Sequence, residues 1–221
     1  MKVLLTLGFD GDRGGFVDAI SAEVTKLLAS GGAARGALDV RIEGTELDML
    51  RPVLNEPDVR AVVSLSAPEK PAAALGLALP AGSRLIGAYL AEEVVQRDYE
   101  RTWPAGTPSP GVKLVCFVRR RPGSTREEYS AHWRKRHGPL ALARQPGFWR
   151  YVQNHLVERL TDATPDWDGI GEIHFRSAPE VYTGSFDSEE GQRLIMEDTE
   201  RFMVRAESTT LPTNEYLLLA P

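Results

Sequence analysis

The sequence predicts an α+β fold: two ferredoxin-like units of order βαββαβ, packed sheet to sheet into a barrel within one chain. Three observations predict it. A break rich in proline and glycine, residues 102–111 with Pro104, Pro108 and Pro110, divides the 221 residues into nearly equal parts. Prolines there remove backbone donors and disfavour helix, so the segment reads as a linker. On either side the same succession of alternating and helically spaced apolar residues recurs. All four histidines, His132, His137, His155 and His174, fall in the second part. Residues 1–101 therefore read as a degenerate unit and residues 112–221 as the unit that carries any chemistry.

In the first unit, residues 2–8 alternate as a strand, 16–28 repeat as a helix, and 37–42 and 59–65 are further strands. A short helix over 71–79 opens on Pro71, and 84–95 form a long closing strand. Lys2-Val3-Leu4 and Lys113-Leu114-Val115 are equivalent points of the two units.

In the second unit, 112–119 is a strand rich in Val, Leu and Phe. Ser124 with Glu127 has the spacing of a capping box and opens a helix to about Arg136. Tyr129, Trp133 and His137 lie at i, i+4 and i+8 along one side of it. Pro146-Gly147 breaks the chain before a strand over 150–157. Asp166-Trp167-Asp168-Gly169 is turn chemistry ahead of a strand over 170–175. Asp187 with Glu190 starts a last helix, striped by Leu194, Ile195, Phe202 and Met203, and 216–219 form the final strand.

Composition is that of a soluble globular chain, 42% hydrophobic and 26% charged. A net charge of −5 gives no basic face for nucleic acid, and Arg119-Arg120-Arg121 reads as a solvated strand end. The single cysteine, Cys116, excludes an internal disulfide and fits a reducing compartment; within its apolar run it reads as a small core residue. No run reaches the roughly 20 apolar residues that cross a bilayer, and residues 3–7 are too short for a signal-peptide core. The expectation is a cytoplasmic protein with a small-molecule partner, no nucleic acid and no membrane.

Strand alternation selects the side chains that share the barrel cavity. Val152 and Leu156 suit the face under the helices, which sends Tyr151, Gln153 and His155 inward. Ile173 and Phe175 likewise leave Glu172, His174 and Arg176 inward. Tyr151, Gln153, His155, Glu172 and His174 then share one space, which is either solvated or a functional pocket, because unpaired burial is costly. His137 closes the first helix before Gly138-Pro139, either as a dipole-favoured C-terminal imidazole or as a base at the barrel mouth. His132 lies about 140° around that helix, so it reads as surface and cannot share an ion with His137. His155, Glu172 and His174 could supply a zinc or iron set, but no short histidine spacing supports a metal. No G-x-G-x-x-G follows a strand and no G-x-S-x-G is present, so neither a nucleotide cofactor nor a serine hydrolase is indicated.

Three blocks in order, residues 132–140 (His-Trp-Arg-Lys-Arg-His-Gly-Pro-Leu), 150–155 (Arg-Tyr-Val-Gln-Asn-His) and 168–172 (Asp-Gly-Ile-Gly-Glu), resemble the EthD domain family of the dimeric α/β barrel superfamily. The resemblance covers about residues 112–220. It implies a barrel with a pocket on the active half, and places Trp133, His137, Pro139, Tyr151, Asn154, His155 and Glu172 at the family's motif positions. Superfamily relatives include polyketide cyclases, cofactor-free monooxygenases, lyases acting on phenolic compounds, and haem enzymes, so the fold does not select the reaction. The first unit lacks these blocks, as a fused, degenerate partner would; further pairing into a homodimer stays open.

The expected function is cofactor-free acid–base chemistry, a lyase or cyclase acting on an aromatic or polyketide-like substrate. His155 is the expected base and Glu172 its charge-balancing neighbour, with Tyr151 and Asn154 or His137 bonded to a developing oxyanion. Trp133, Gln153, Asn154, His174 and Phe117 are the expected substrate-binding residues. A cofactor-independent monooxygenase and a non-catalytic small-ligand binder are the alternatives.

Overall fold

The structure, a computed structural model, describes residues 1–43, 47, 58–68 and 70–219. Apolar alternation yields β1 (Lys2–Phe9), β2 (Arg35–Arg41), β3 (Ala61–Ser66) and β4 (Ser83–Arg97) in the first half, with α1 (Arg13–Ala29) between β1 and β2. The second half supplies β5 (Val112–Val118), α2 (Arg126–His132), α3 (Gly138–Arg144), β6 (Arg150–Arg159), β7 (Gly169–Phe175), α4 (Ala178–Thr183), α5 (Glu189–Phe202) and β8 (Thr209–Leu218). The short helix expected after Pro71 is a 3-10 segment, Pro71–Gly76. No helix among the described residues is long and apolar enough to cross a membrane.

The eight strands close into one antiparallel barrel in the order β1-β3-β2-β8-β5-β7-β6-β4. Each half contributes four contiguous strands, and the halves join where β2 pairs with β8 and β4 with β6. Closure pairs both edges of each described strand and buries both faces of most of them, β4 and the end of β6 being partly exposed. Outside the first half, Phe16, Ile20, Val24 and Leu28 of α1 pack on Val3, Leu5, Leu7 and Leu38. Outside the second half, Ala141 and Ile195 cover Leu114, Tyr151 and Phe175. Inside, one end is apolar, built from Leu4, Val62, Phe117, Leu156, Trp167 and Ile170. The other end is charged and equally buried, holding Lys2, Asp39, Lys113, Glu172 and Glu215.

Four local expectations need correction. The cap of α2 is Thr125 with Glu128, one residue later than Ser124 with Glu127, and both reciprocal bonds of the capping box form. The cap of α5 is Ser188, whose hydroxyl accepts from the Gly191 amide. Helix α4 was not foreseen. The largest difference is at Gly138-Pro139, where the helix does not stop. A π-helical turn, Trp133–His137, carries it into α3, with the Gly138 N–H bonded five residues back to the Trp133 carbonyl. Pro139 brings no N–H, so the Arg134 carbonyl would lack a donor; the Gln96 side chain supplies one at 3.0 Å. Gly138 makes that approach feasible, because a Cβ there would meet the Gln96 amide at 2.6 Å.

Candidate active site

The π turn decides which histidines can work together. An extra residue in the turn places positions five apart on one side of the helix, so His132 and His137 both face α5. His132 Nε2 and His137 Nδ1 each lie 2.9 Å from a different oxygen of Asp198. The expectation of a surface His132 pointing away from His137 rested on α-helical spacing and fails for that reason; His132 is half-buried and stacks on Phe202. Nor does His137 stand at the barrel mouth: it lies over the outer face of the sheet, beside Phe202. Burial opposes ionisation of Asp198, but the bonds from His137 and His132 outweigh it and hold the carboxyl below its usual range. An ionised Asp198 only accepts, so His137 carries a proton on Nδ1, and the neutral ring presents Nε2 as a lone pair.

The face assigned to β6 is reversed. Tyr151, Gln153 and His155 lie under the helices, while Asn154 and Leu156 point into the barrel. Trp133 Nε1–H donates to the Tyr151 hydroxyl at 2.9 Å, and Gln153 Nε2–H donates to it at 3.0 Å and to the Trp133 carbonyl at 2.9 Å. The Gln153 carbonyl oxygen in turn accepts from Gln96. This chain of amides makes a polar strand face suitable for burial beneath helices. Gly169 lets the two aromatic rings above it seat on the sheet: a Cβ there would meet Tyr129 at 2.3 Å and Trp133 at 2.5 Å.

On β7 the assignment holds, and Glu172 and His174 point inward. The sheet wall therefore separates Glu172 from His155, and Glu172 cannot balance charge on that histidine. Its partners are Lys2, Lys113 at 2.7 Å, and Asn154 at 2.8 Å. The suggested metal set of His155, His174 and Glu172 is divided in the same way, and among the described residues no group of three His, Cys, Asp or Glu side chains is placed to hold a metal ion. His155 Nδ1 meets Ser130 at 3.0 Å. Burial, then the nearby Arg134, pushes its pKa down to about 4, which makes it a weak base. Burial, against the pull of Glu215, likewise takes His174 to about 4, and its Nε2 meets the Pro110 carbonyl of the linker. The Phe117 ring packs on Trp167 in the apolar end of the barrel.

Between the sheet and α5 lies a cavity of about 260 Å³, lined by Trp133, Tyr151, Cys116, Ile173 and Phe202, with His137 and Thr210 among its polar members. Both bonds made by the Tyr151 hydroxyl are received ones. No acceptor for its own proton is present among the described residues, which leaves that proton for a ligand. Burial raises the Tyr151 pKa against the bonds from Gln153 and Trp133, so the phenol stays protonated. Cys116 receives a bond from Thr210, and burial pushes its thiol up to about 11.

Asp198 and Gln96 escaped the sequence reading. Asp198 carried a signal, a lone acid on the stripe formed by Ile195 and Phe202; Gln96 carried none.

Residues 121–206 match the family described as the EthD domain. Two solved structures share the fold over nearly the whole chain. One, from Lactobacillus acidophilus NCFM and described as a candidate monooxygenase, has a TM-score of 0.54 at 11% identity, covering 99% of this chain and 94% of that one. The other, described as an anthrone oxidase-like protein, has a TM-score of 0.54 at 13% identity, covering 100% and 96%. No curated protein sequence matches the chain.

Proposed function

We propose, from the match of residues 121–206 to the EthD domain family, that the chain is a small-molecule enzyme whose base is His137 and whose oxyanion donor is Tyr151. The observation that carries the reading is the Tyr151 proton: both hydroxyl bonds are received, no acceptor is supplied, and the residue lines the cavity that His137 enters. His137 Nε2 takes a proton from an acidic carbon or phenol of a planar substrate. Asp198 stabilises the imidazolium through the Nδ1–H bond, and Tyr151 bonds to the oxygen that gains the charge. The apolar walls suit an aromatic or polyketide-like compound.

Elimination or ring closure from that enolate makes the enzyme a lyase or cyclase. A second reading, cofactor-independent oxygenation, begins with the same proton transfer and differs in letting oxygen capture the carbanion. The descriptions of the two similar structures bring it to this chain. The roles expected for His155 and Glu172 pass to His137 and Asp198. We also read the chain as two ferredoxin-like units, 1–101 and 112–221, joined by 102–111, with both sheets of the barrel supplied by one polypeptide. The strand order supports it, since each half contributes four contiguous strands.

A panel of phenolic and β-keto acids, assayed with and without oxygen, tests the proposal. Turnover should fall about 10²- to 10³-fold in Tyr151→Phe, the loss typical of one oxyanion donor, and Asp198→Asn should also be impaired. Binding without turnover by the wild-type protein would leave a ligand carrier and overturn the enzymatic reading.

A further inference from the structure

The charged end of the barrel encloses a second cavity of about 330 Å³, on the opposite side of the sheet from the site above. Behind Glu172 and Glu215 of its lining lies Lys113, 1% exposed, whose ammonium is 2.7 to 2.9 Å from Asp39, Glu172 and Glu215. The carboxylates lining the cavity are all answered. Glu172 has Lys2, Lys113 and Asn154, and Glu215 has Lys113, Tyr99 and Ser109. Glu93 has Lys2, and Asp98 has Arg150.

The donors are not all answered. The Ser64 hydroxyl, on a residue 4% exposed, and the Arg101 Nε–H are both buried, line the cavity and have no hydrogen-bond partner. Arg101 makes no ion pair among the described residues; its guanidinium only lies over Trp103, 5.8 Å from the ring centre. Orphaned buried donors cost on the order of 1–3 kcal/mol each, so two unpaired donors in a lining whose carboxylates are answered call for a ligand bearing lone pairs. The unpaired guanidinium calls for a negative one. Beside the mouth, Tyr99, Trp103 and Trp149 pack within 5.5 Å of one another, centre to centre, and Tyr99 itself lines the cavity.

We propose that this end of the barrel is a binding site for a small aromatic carboxylate, its carboxylate on Arg101 and Ser64 and its ring against Tyr99. The site stands apart from the acid–base centre and requires no turnover.

Calorimetric titration with benzoate tests it, with the uncharged benzamide as comparison and the Trp103 indole N–H followed by NMR. Benzoate should bind saturably and shift the Trp103 signal, while benzamide should bind at least tenfold more weakly. Arg101→Gln, on a partly exposed segment outside the strands, should weaken benzoate about tenfold or more, as loss of a charged hydrogen bond implies. Ser64→Ala should weaken it by less, and Tyr151→Phe should leave it unchanged. Absence of saturable binding, equal binding of benzamide, or an unaltered Arg101→Gln titration would overturn the proposal. Loss in Tyr151→Phe alone would place the benzoate in the other cavity and also overturn it.

Discussion

Replacing Lys113 by methionine isolates the energetics of the charged barrel interior. In the wild type, burial opposes the charge on Lys113, but Asp39, Glu172 and Glu215 together hold its pKa well above normal. Burial likewise opposes ionisation of Glu215, yet Lys113 and then His174 hold it at about 2. Asp39 goes the other way: burial outweighs Lys113 and lifts it to about 7. Methionine fills similar volume but removes the shared cation. Glu172 keeps Lys2, Arg150 and Asn154, whereas Asp39 and Glu215 lose their bonded cation. Leaving a buried charge uncompensated costs about 3–5 kcal/mol, and that loss is expected at pH 7.5 in urea unfolding followed by circular dichroism. The sign of the pH dependence follows. In the variant the folded-state pKa values of Asp39 and Glu215 lie above those of the unfolded chain, so the folded state binds protons first and acidification favours it. The deficit relative to wild type should therefore narrow between pH 7.5 and 5. A loss below about 1 kcal/mol, or a deficit that widens on acidification, would refute the reasoning.

Two further outcomes follow from the same structure. Gly138→Ala should destabilise by about 1–3 kcal/mol, the usual cost of overpacking, because the added Cβ drives Gln96 off the Arg134 carbonyl; thermal unfolding reads it, and an unchanged melting temperature would contradict the role given to the π turn. The stability that buried His155 and His174 contribute should be lost as pH drops from about 6.5 towards 4, since both, depressed from 6.5 to about 4, take up protons more readily in the unfolded chain; Asp39, lifted to about 7, opposes this in part. Each contributes up to roughly 3 kcal/mol on that scale; His155→Gln with His174→Asn should flatten the slope, and an unaltered slope would assign acid unfolding to other groups.

The barrel was legible because alternation, the proline-rich break and repeated element order all point to it. The side of each strand was less so. In a closed barrel with helices outside, both faces are buried, and period-2 alternation cannot tell inside from outside. Ile173 and Phe175 happened to mark the helix face of β7 correctly. Val152 and Leu156 misled on β6, because the barrel has its own apolar end, where Leu156 meets Trp167 and Ile170. Tyr151 and Gln153 could go beneath helices only because Trp133 and Gln96 complete their bonding, a tertiary fact absent from local pattern. The π turn was equally hidden: Gly138-Pro139 reads as a stop, and only Gln96, some 40 residues upstream, supplies what the proline withholds. Hence His137 was recognised as a candidate base while its partner, Asp198, was not.

The central claim is that His137, oriented by Asp198, removes a proton from a substrate whose oxygen is held by Tyr151. Deuterium exchange in D2O, followed by NMR at the acidic carbon of a β-keto compound that binds the wild-type protein, tests it most directly. Exchange catalysed by the wild type should slow about 10²- to 10⁴-fold in His137→Gln, the range of positioned proton transfer, with binding retained. Exchange at the wild-type rate in that variant, or its loss in His155→Gln instead, would contradict the account.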